Sequence, residues 1–436
     1  MKIKKHISGF LSALLLFSGL FLATSCEFAG NSSETNATAA RSDALSSEDR
    51  APETALSPIL TGDPISAKMV YPNDAKGAVS FVVDDGYQDT ASIISDELLP
   101  KYEHLRISYG LIANSLAELD SDYAKDGIED YFLSPNGDYE YFFTNQKNVN
   151  FWNDHVSKNN DYCEILSHSY THSMWGNDDQ GGAQQVQVSG GGYTTLTTAR
   201  GAVTVELKGA QQIVRDLLGQ SSNYFVMPGT GQVNSSYYLN LLQSGQYYRG
   251  ARTTNKRINI RSEIKAPFSY IDAWMVTPSE TADQWTSFID TAVKNGNWAC
   301  FCIHNILENS SAGWGHYIYQ SSADQLFGHA NQLAESGSLW IGTMSEVADY
   351  LQYWNASSVS ALYDRQQNAI GVSVAADETV ADYSVNATVK VALPDHWTNG
   401  AKSADGTSLK TKAENGVTYA LVTVSSASPS VVLLPA

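Results

Sequence analysis

Ala78-Val79-Ser80-Phe81-Val82-Val83-Asp84-Asp85-Gly86 is the stretch that decides the fold. Five of the six residues before Asp84 are apolar, without the alternation of a half-wetted strand. A short strand apolar on both sides is one covered on both sides, as in parallel α/β sheets and barrels. The paired acids stand at its C-terminal end, where sheets and barrels of that kind bind ligands. Gly86 then lets the backbone turn sharply just past the carboxylates.

Two further segments repeat the theme. His168-Ser169-Tyr170-Thr171-His172 carries two imidazoles four residues apart, which a helical turn would bring to one face. Ala299-Cys300-Phe301-Cys302-Ile303-His304 is another apolar strand ending in a histidine. Imidazole and carboxylate are ligands that Zn2+ and similar divalent ions accept, and three protein ligands with one open position is the catalytic arrangement. Each piece alone has a plainer explanation, since a His pair is commonly coincidental and Asp-Asp-Gly is a common turn. Three strand-end sites carrying Asp, His and His are hard to produce by packing alone.

The order of these segments resembles the polysaccharide deacetylase family, the NodB-homology domain of carbohydrate esterase family 4, over roughly residues 68–354. Val83-Asp84-Asp85-Gly86 matches its first motif, and the resemblance implies Asp84 as general base and Asp85 as metal ligand. His168 to His172 matches the second without gaps and would supply the other two ligands. Phe301-Cys302-Ile303-His304 resembles the fifth, implying His304 as the acid. The implied cofactor is a divalent metal, Zn2+ first, with Co2+ or Ni2+ accepted by the same ligands. The implied fold is α/β, a distorted (β/α) barrel of the polysaccharide deacetylase type. The implied reaction is removal of an acetyl group, with the oxyanion held in part by a backbone N–H near Gly229.

Two motifs depart from the family pattern. In Tyr224-Phe225-Val226-Met227-Pro228-Gly229 the proline of the third motif is kept, but Val226 stands where the family has the arginine that orients the base. Arg249 or Arg252 on the next strand-like segment could replace it from another direction, a surface role for both being the plainer reading. Ile271-Asp272-Ala273-Trp274 resembles the fourth motif, which implies that Asp272 orients His304 and that Trp274 lines the sugar site.

The chain's start sets an expectation about place. Lys2, Lys4 and Lys5 precede an apolar run from Ile7 to Ala23, and Leu22-Ala23-Thr24-Ser25-Cys26 ends it. This resembles the lipobox of bacterial lipoproteins, with residues 1–25 removed and Cys26 lipidated, and places the protein in the cell envelope, on the periplasmic or surface face of an outer membrane. Loss of three lysines and no acid would take the formal charge from −19 to −22. So acidic a surface argues against nucleic acid as a partner; an acetylated glycan and the membrane at Cys26 are the partners expected, with no protein partner. Three cysteines remain, and buried thiols are expected for Cys163, Cys300 and Cys302.

Residues 26–58 are rich in Ser, Thr, Asn, Ala and Glu and read as a flexible tether, followed by a catalytic barrel over 59–355. Val203, Leu207, Ala210, Val214 and Leu217, with Gly219 behind them, predict an amphipathic helix with its C-cap, and others are expected over 323–336 and 343–353. The segment 105–151 is a Tyr- and Asp-rich insertion whose Asp120-Ser121-Asp122 fails the calcium-loop pattern at Ala124. Ser189-Gly190-Gly191-Gly192 lacks the Lys-Ser/Thr of a phosphate loop and reads as a hairpin tip. Trp175 and Trp314 are further candidates for a sugar face, core packing being the commoner fate of tryptophan. From 356 to 436 the pattern has period two, with Asp405-Gly406 and Asn415-Gly416 as hairpin turns, which predicts a small all-β sandwich domain serving as packing or spacer, or weakly as a glycan binder.

Two functional classes follow. The first is a metal-dependent hydrolase that removes N- or O-linked acetyl groups from a polysaccharide or oligosaccharide. The second is a non-catalytic glycan-binding lipoprotein that keeps the metal site, for which Val226 is the motive.

Overall fold

Just ahead of the Asp-Asp-Gly segment, β1 (Ala67–Val70) leads to β2 (Gly77–Val83), whose seven residues are all buried. The computed structural model describes residues 61–119, 141–172, 184–188, 192–196, 204–229, 236–308 and 316–436, all within one compact unit, Leu56–Ala436. The leader, Cys26 and the tether lie outside the described residues, as do Asp120-Ser121-Asp122, Trp175, residues 189–191 and Trp314. Gln184–Val188 and Gly192–Leu196 pair antiparallel on either side of that glycine run. No described helix is long and apolar enough to cross a membrane.

Seven further barrel strands follow in order: β3 (Ile107–Leu111), β4 (Cys163–Ser167), β5 (Tyr224–Val226), β6 (Gly250–Thr253), β7 (Ser269–Asp272), β8 (Trp274–Met275) and β9 (Trp298–Ile303). Every pairing among them is parallel, in the spatial order β7-β6-β5-β4-β3-β2-β9-β8. Because β7 and β8 are one extended segment interrupted at Ala273, pairing β6 on one side and β9 on the other, the sheet returns on itself. A short strand β10 (Leu339–Ile341) wedges in beside the first half of β2, below the point where β3 takes over as its neighbour. That half-length stave is the distortion of the barrel.

Helices connect the strands and cover the outside: α1 (Gln88–Ile93), α2 (Gln146–Lys158), α3 (Ala210–Leu218), α4 (Ser236–Gln243), α5 (Ala282–Asn295), α6 (Gln320–Glu335) and α7 (Met344–Asn355). Their ends follow the local chemistry. Thr281 and Thr343 cap α5 and α7 in reciprocal capping boxes with Gln284 and Glu346. Gly219 closes α3 at φ 65°, a left-handed cap that costs a side chain dearly and glycine little. A wider π-helical turn, Val205–Gly209, leads into α3, so the helix predicted around Val203 to Leu217 is present but not uniform.

The two faces of β2 feed different cores. Val79, Phe81 and Val83 pack under the helices with Trp285 and Phe327, whereas Ala78 and Val82 join Leu166, Val226, Cys300 and Cys302 inside the barrel. The inner cluster does not stop at the barrel's floor. It runs through Met344 and Leu351 of α7 into Val389 and Val422 of the all-β part.

That all-β part consists of two antiparallel sheets, and it is not built from the C-terminal residues alone. Asp63–Pro64 pairs with Ser357–Asp364, and β1 pairs with Asn386–Ala392, so residues 63–70 belong to the sheets that the sequence placed beyond 355. The expected hairpin turns are present, Gly406 at φ 89° and Asn415-Gly416 at φ 51° and 83°.

Candidate metal centre

Asp84 continues the line of β2, its N–H donating to Ile303 O at 2.8 Å, and the chain then leaves the strand abruptly. Asp85 sits at φ 67° and Gly86 at φ 71°. A Cβ on Gly86 would also meet the Leu111 side chain at 2.9 Å, so both backbone conformation and space ask for glycine. The histidine segment is strained in the same way. Ser169 and His172 have φ of 64° and 60°, and among the described residues the other non-glycine residues of positive φ are all Asn or Asp. Strain of this kind persists where the surroundings over-determine it, commonly at functional sites.

His168 and His172 therefore do not share a face of a helical turn. They flank a tight loop beyond β4, in which Ser169 Oγ accepts from the His172 N–H at 2.9 Å and the two rings lie 4.9 Å apart. The expected convergence is reached by another backbone route. His168 is 1% exposed, and its Nδ1 lies 2.7 Å from Val226 O. A carbonyl only accepts, so Nδ1 carries the proton and Nε2 presents a lone pair.

That Nε2 is 3.3 Å from Asp85 Oδ1, and His172 Nε2 is 3.2 Å from the same oxygen. Among the described residues Asp85 Oδ1 and His168 Nε2 are buried with no hydrogen-bond partner. Acceptor atoms driven together without a donor are costly unless a cation satisfies them. One atom from each of Asp85, His168 and His172 lies within 4.8 Å of the others, so this donor set fits a divalent ion. Burial pushes the Asp85 carboxyl up, but the close imidazoles of His168 and His172, with His304 behind them, more than reverse this and hold it well below the usual range. The adjacent Asp85 carboxylate raises His172 against the effect of its burial. Protons and a metal thus compete for these ligands.

Asp84 is 3% exposed, its Oδ2 3.8 Å from His168 Nε2. Its Oδ2 accepts from Arg252 Nη2 and, at 3.3 Å, from Cys302 Sγ. Arg252, fully buried, stands on β6 directly opposite Val226 in the strand register. Its side chain therefore points inside the barrel at the height where the third motif has its arginine, one strand over. The surface reading of Arg252 is overturned. Arg249 does lie outside, paired with Asp349 and Asp382. Burial alone would raise the Asp84 carboxyl, and the Arg252 guanidinium, with His168 and His304 behind it, brings it below the ordinary value.

His304 ends β9 with Nε2 4.0 Å from both Asp84 Oδ2 and Asp85 Oδ2, and the His316 ring lies 5.3 Å from its own. Burial lowers His304 more than the two carboxylates raise it, which favours the neutral ring. Asp84, Cys302 and His304 also form a compact group of ligand-type atoms. Burial pushes the Cys302 thiol far up and Arg252 already occupies Asp84, so this second group suits a proton better than a cation.

Two expected residues are placed differently from expectation. Asp272 accepts from Thr253 Oγ1 at 2.8 Å, Asn255 Nδ2 at 3.0 Å and Arg257 Nε at 2.7 Å, which commits its carboxylate to the loop after β6. Trp274 is 6% exposed, stacks on Phe301, donates to Glu280 at 2.8 Å and is covered by Lys256 3.5 Å above its ring. It is a residue of the outer core rather than a sugar platform. Gly229, at φ 65°, follows β5 on the same rim as the histidine loop. Cys163, Cys300 and Cys302 are buried thiols, as expected.

No family model matches the chain, and no curated protein sequence matches it. Solved structures similar to it include a CE4 family pseudoenzyme from Bacillus anthracis, 12% identical, covering 63% of this chain and 66% of that one with a TM-score of 0.34. A family 4 acetyl xylan esterase from Clostridium thermocellum in complex with cobalt is 12% identical, covering 62% of this chain and 89% of that one, at 0.34. A family 4 carbohydrate esterase from Streptomyces lividans in complex with acetate is 15% identical, covering 62% and 94%, at 0.31.

Proposed function

We propose that the chain is a divalent-metal-dependent deacetylase of the polysaccharide deacetylase family, acting on N- or O-linked acetyl groups of a glycan. The observation that carries this reading is the meeting of Asp85 Oδ1 with two imidazole nitrogens at 3.2 and 3.3 Å, beside a second carboxylate, Asp84, that is charge-paired with Arg252 and lies 3.8 Å from His168 Nε2. Asp85, His168 and His172 would hold the ion, with Zn2+, Co2+ and Ni2+ all suited to the set. When bound, such an ion polarises a carbonyl and brings the pKa of water towards neutrality.

The remaining steps belong to side chains. Asp84, kept ionised by Arg252, takes the proton from the attacking water as its oxygen bonds to the acetyl carbon. His304, neutral at rest and 4.0 Å from Asp84, takes that proton over from Asp84, which restores the carboxylate, and as imidazolium gives it to the leaving nitrogen or oxygen as the bond to the acetyl carbon breaks, leaving acetate and a free amine or hydroxyl. A backbone N–H near Gly229 supports the oxyanion. The non-catalytic reading drew its motive from Val226, and Arg252 removes that motive by bringing a guanidinium to the same carboxylate. Lipidation at Cys26 and a place in the cell envelope complete the proposal.

Asp84→Asn is expected to retain bound metal and lose acetate release from acetylated xylan, chitooligosaccharide and peptidoglycan alike, while His172→Ala loses metal as well. Metal analysis beside acetate assay checks both. Acetate release unchanged in the two variants ends the proposal, and wild-type binding of one of these glycans with no acetate selects the non-catalytic class.

A further inference from the structure

Glu206 is a buried carboxylate that the steps above do not use. It is 0% exposed and stands on the π-helical turn Val205–Gly209, a wider turn of the kind found where a helix is deformed to aim one residue. Its target is the loop between the two histidines. Glu206 Oε2 accepts from the N–H of Tyr170 at 2.8 Å and from that of Thr171 at 2.9 Å, and Oε1 accepts from Thr171 Oγ1 at 2.5 Å. Ser169 Oγ in turn accepts from the His172 N–H at 2.9 Å. One side chain therefore gathers two consecutive residues, Tyr170 and Thr171, from the stretch between His168 and His172.

A loop with two residues at positive φ does not hold its shape by local preference. We propose that Glu206 is the positioning residue that fixes the His168–His172 loop in its ligating conformation, so that metal affinity depends on a carboxylate that never touches the ion. The inference rests on the metal reading of Asp85, His168 and His172. Burial of a carboxylate is unfavourable, and here three loop donors offset that cost in one conformation of the loop.

The test is titration of the metal-free full-length chain with Co2+, followed by its visible absorption, for wild type, Glu206→Gln, Thr171→Val and Glu164→Gln. Glu164 is the control, a half-buried carboxylate at the opposite end of β4 that accepts from Ser108 at 2.7 Å and from the Ser345 N–H at 3.0 Å. Glu206→Gln is expected to weaken Co2+ binding by ~10–100-fold and to alter the spectrum, as outer-shell changes do. Thr171→Val, which deletes one donor and cannot unfold the loop by itself, should weaken it less, by roughly 3-fold. Glu164→Gln should leave affinity and spectrum unchanged whatever it does to thermal stability. Equal Co2+ affinity in wild type, Glu206→Gln and Thr171→Val overturns the positioning role and leaves the metal site standing. A wild type that takes up no Co2+ overturns both.

Discussion

Arg252 shows how far single residues carry a function and where a linear reading stops. The sequence displayed Asp84, Asp85, His168, His172 and His304 plainly, because each stands at a strand end where few other reasons exist for its type. It displayed the absence of a cation at Val226 equally plainly, but the replacement could be found only from strand register, which sets Arg252 opposite Val226. Glu206 left a faint sign, an acid four residues before Ala210 on the apolar stripe of its helix, where a solvated charge has no place. Replacing Arg252 by Leu strands a buried carboxylate and is expected to cost about 3–5 kcal/mol of stability. It should also lower acetate release by ~10²-fold or more, with metal still bound. Chemical denaturation and metal analysis check this, and a stability change near zero would show that the pair contributes nothing. His155 is a second buried titratable group, ringed by Tyr109, Phe151 and Trp152, with no acceptor at Nε2, and burial lowers it to about 4. The unfolded chain takes up its proton near pH 6.5 and the folded chain only near 4, so stability should fall as pH drops through that window. The loss is up to about 3 kcal/mol. His155→Phe should flatten that part of the pH–stability curve, and an unchanged slope would contradict the assignment.

At the scale of elements, the strands were more legible than their partners. β2 and β9 announced themselves as apolar runs, and the helix before Gly219 by its spacing, because those signals are local. The four residues of β1 have too little pattern to reveal that they pair with Asn386–Ala392, some 320 residues onward, and the loop of His168 to His172 depends on contacts with Glu206 rather than on helix propensity. Register also yields a prediction. Val226 packs against Gly110, whose missing side chain leaves room beside it, and Val226 and Arg252 occupy the same level of neighbouring strands. Moving the cation back, as Val226→Arg with Arg252→Val, should therefore recover a measurable part of the stability and acetate release that Arg252→Val alone removes. No recovery would mean that the direction of approach to Asp84 matters as much as the charge, and that β6 is the only stave from which the guanidinium can serve it.

For the whole molecule, the decisive feature is that α7 is shared. Its Tyr350 hydroxyl donates to Val70 O and accepts from the Thr388 N–H at 3.0 Å, so one side chain binds β1 to the C-terminal sheet. Gln352, fully buried, donates to Arg249 O at 2.9 Å and accepts from the Tyr383 hydroxyl at 2.5 Å, while Asp349 joins Tyr224 of the barrel at 2.7 Å to Arg249 at 3.1 Å. The C-terminal sheets close the floor of the barrel whose other end holds the ligands, and the inner core passes through α7 without a break. A separable module would instead leave a polar, solvated seam. Unfolding of the two parts is thus expected to be one event: calorimetry of the full chain should give a single cooperative transition, and a chain ending at Asn355 should fail to fold, since Tyr350 would lose its Thr388 donor, Gln352 its Tyr383 donor, and the apolar residues of α7 their cover. Two separate transitions, or a soluble truncated barrel that still binds Co2+, would show the sheets to be an appendage. The shared helix also reaches the site, because Asp349 pairs with Arg249, three residues before Arg252 on the same stretch of chain. Loosening the floor should therefore weaken catalysis through the guanidinium on Asp84 before it weakens the grip of Asp85, His168 and His172 on a metal.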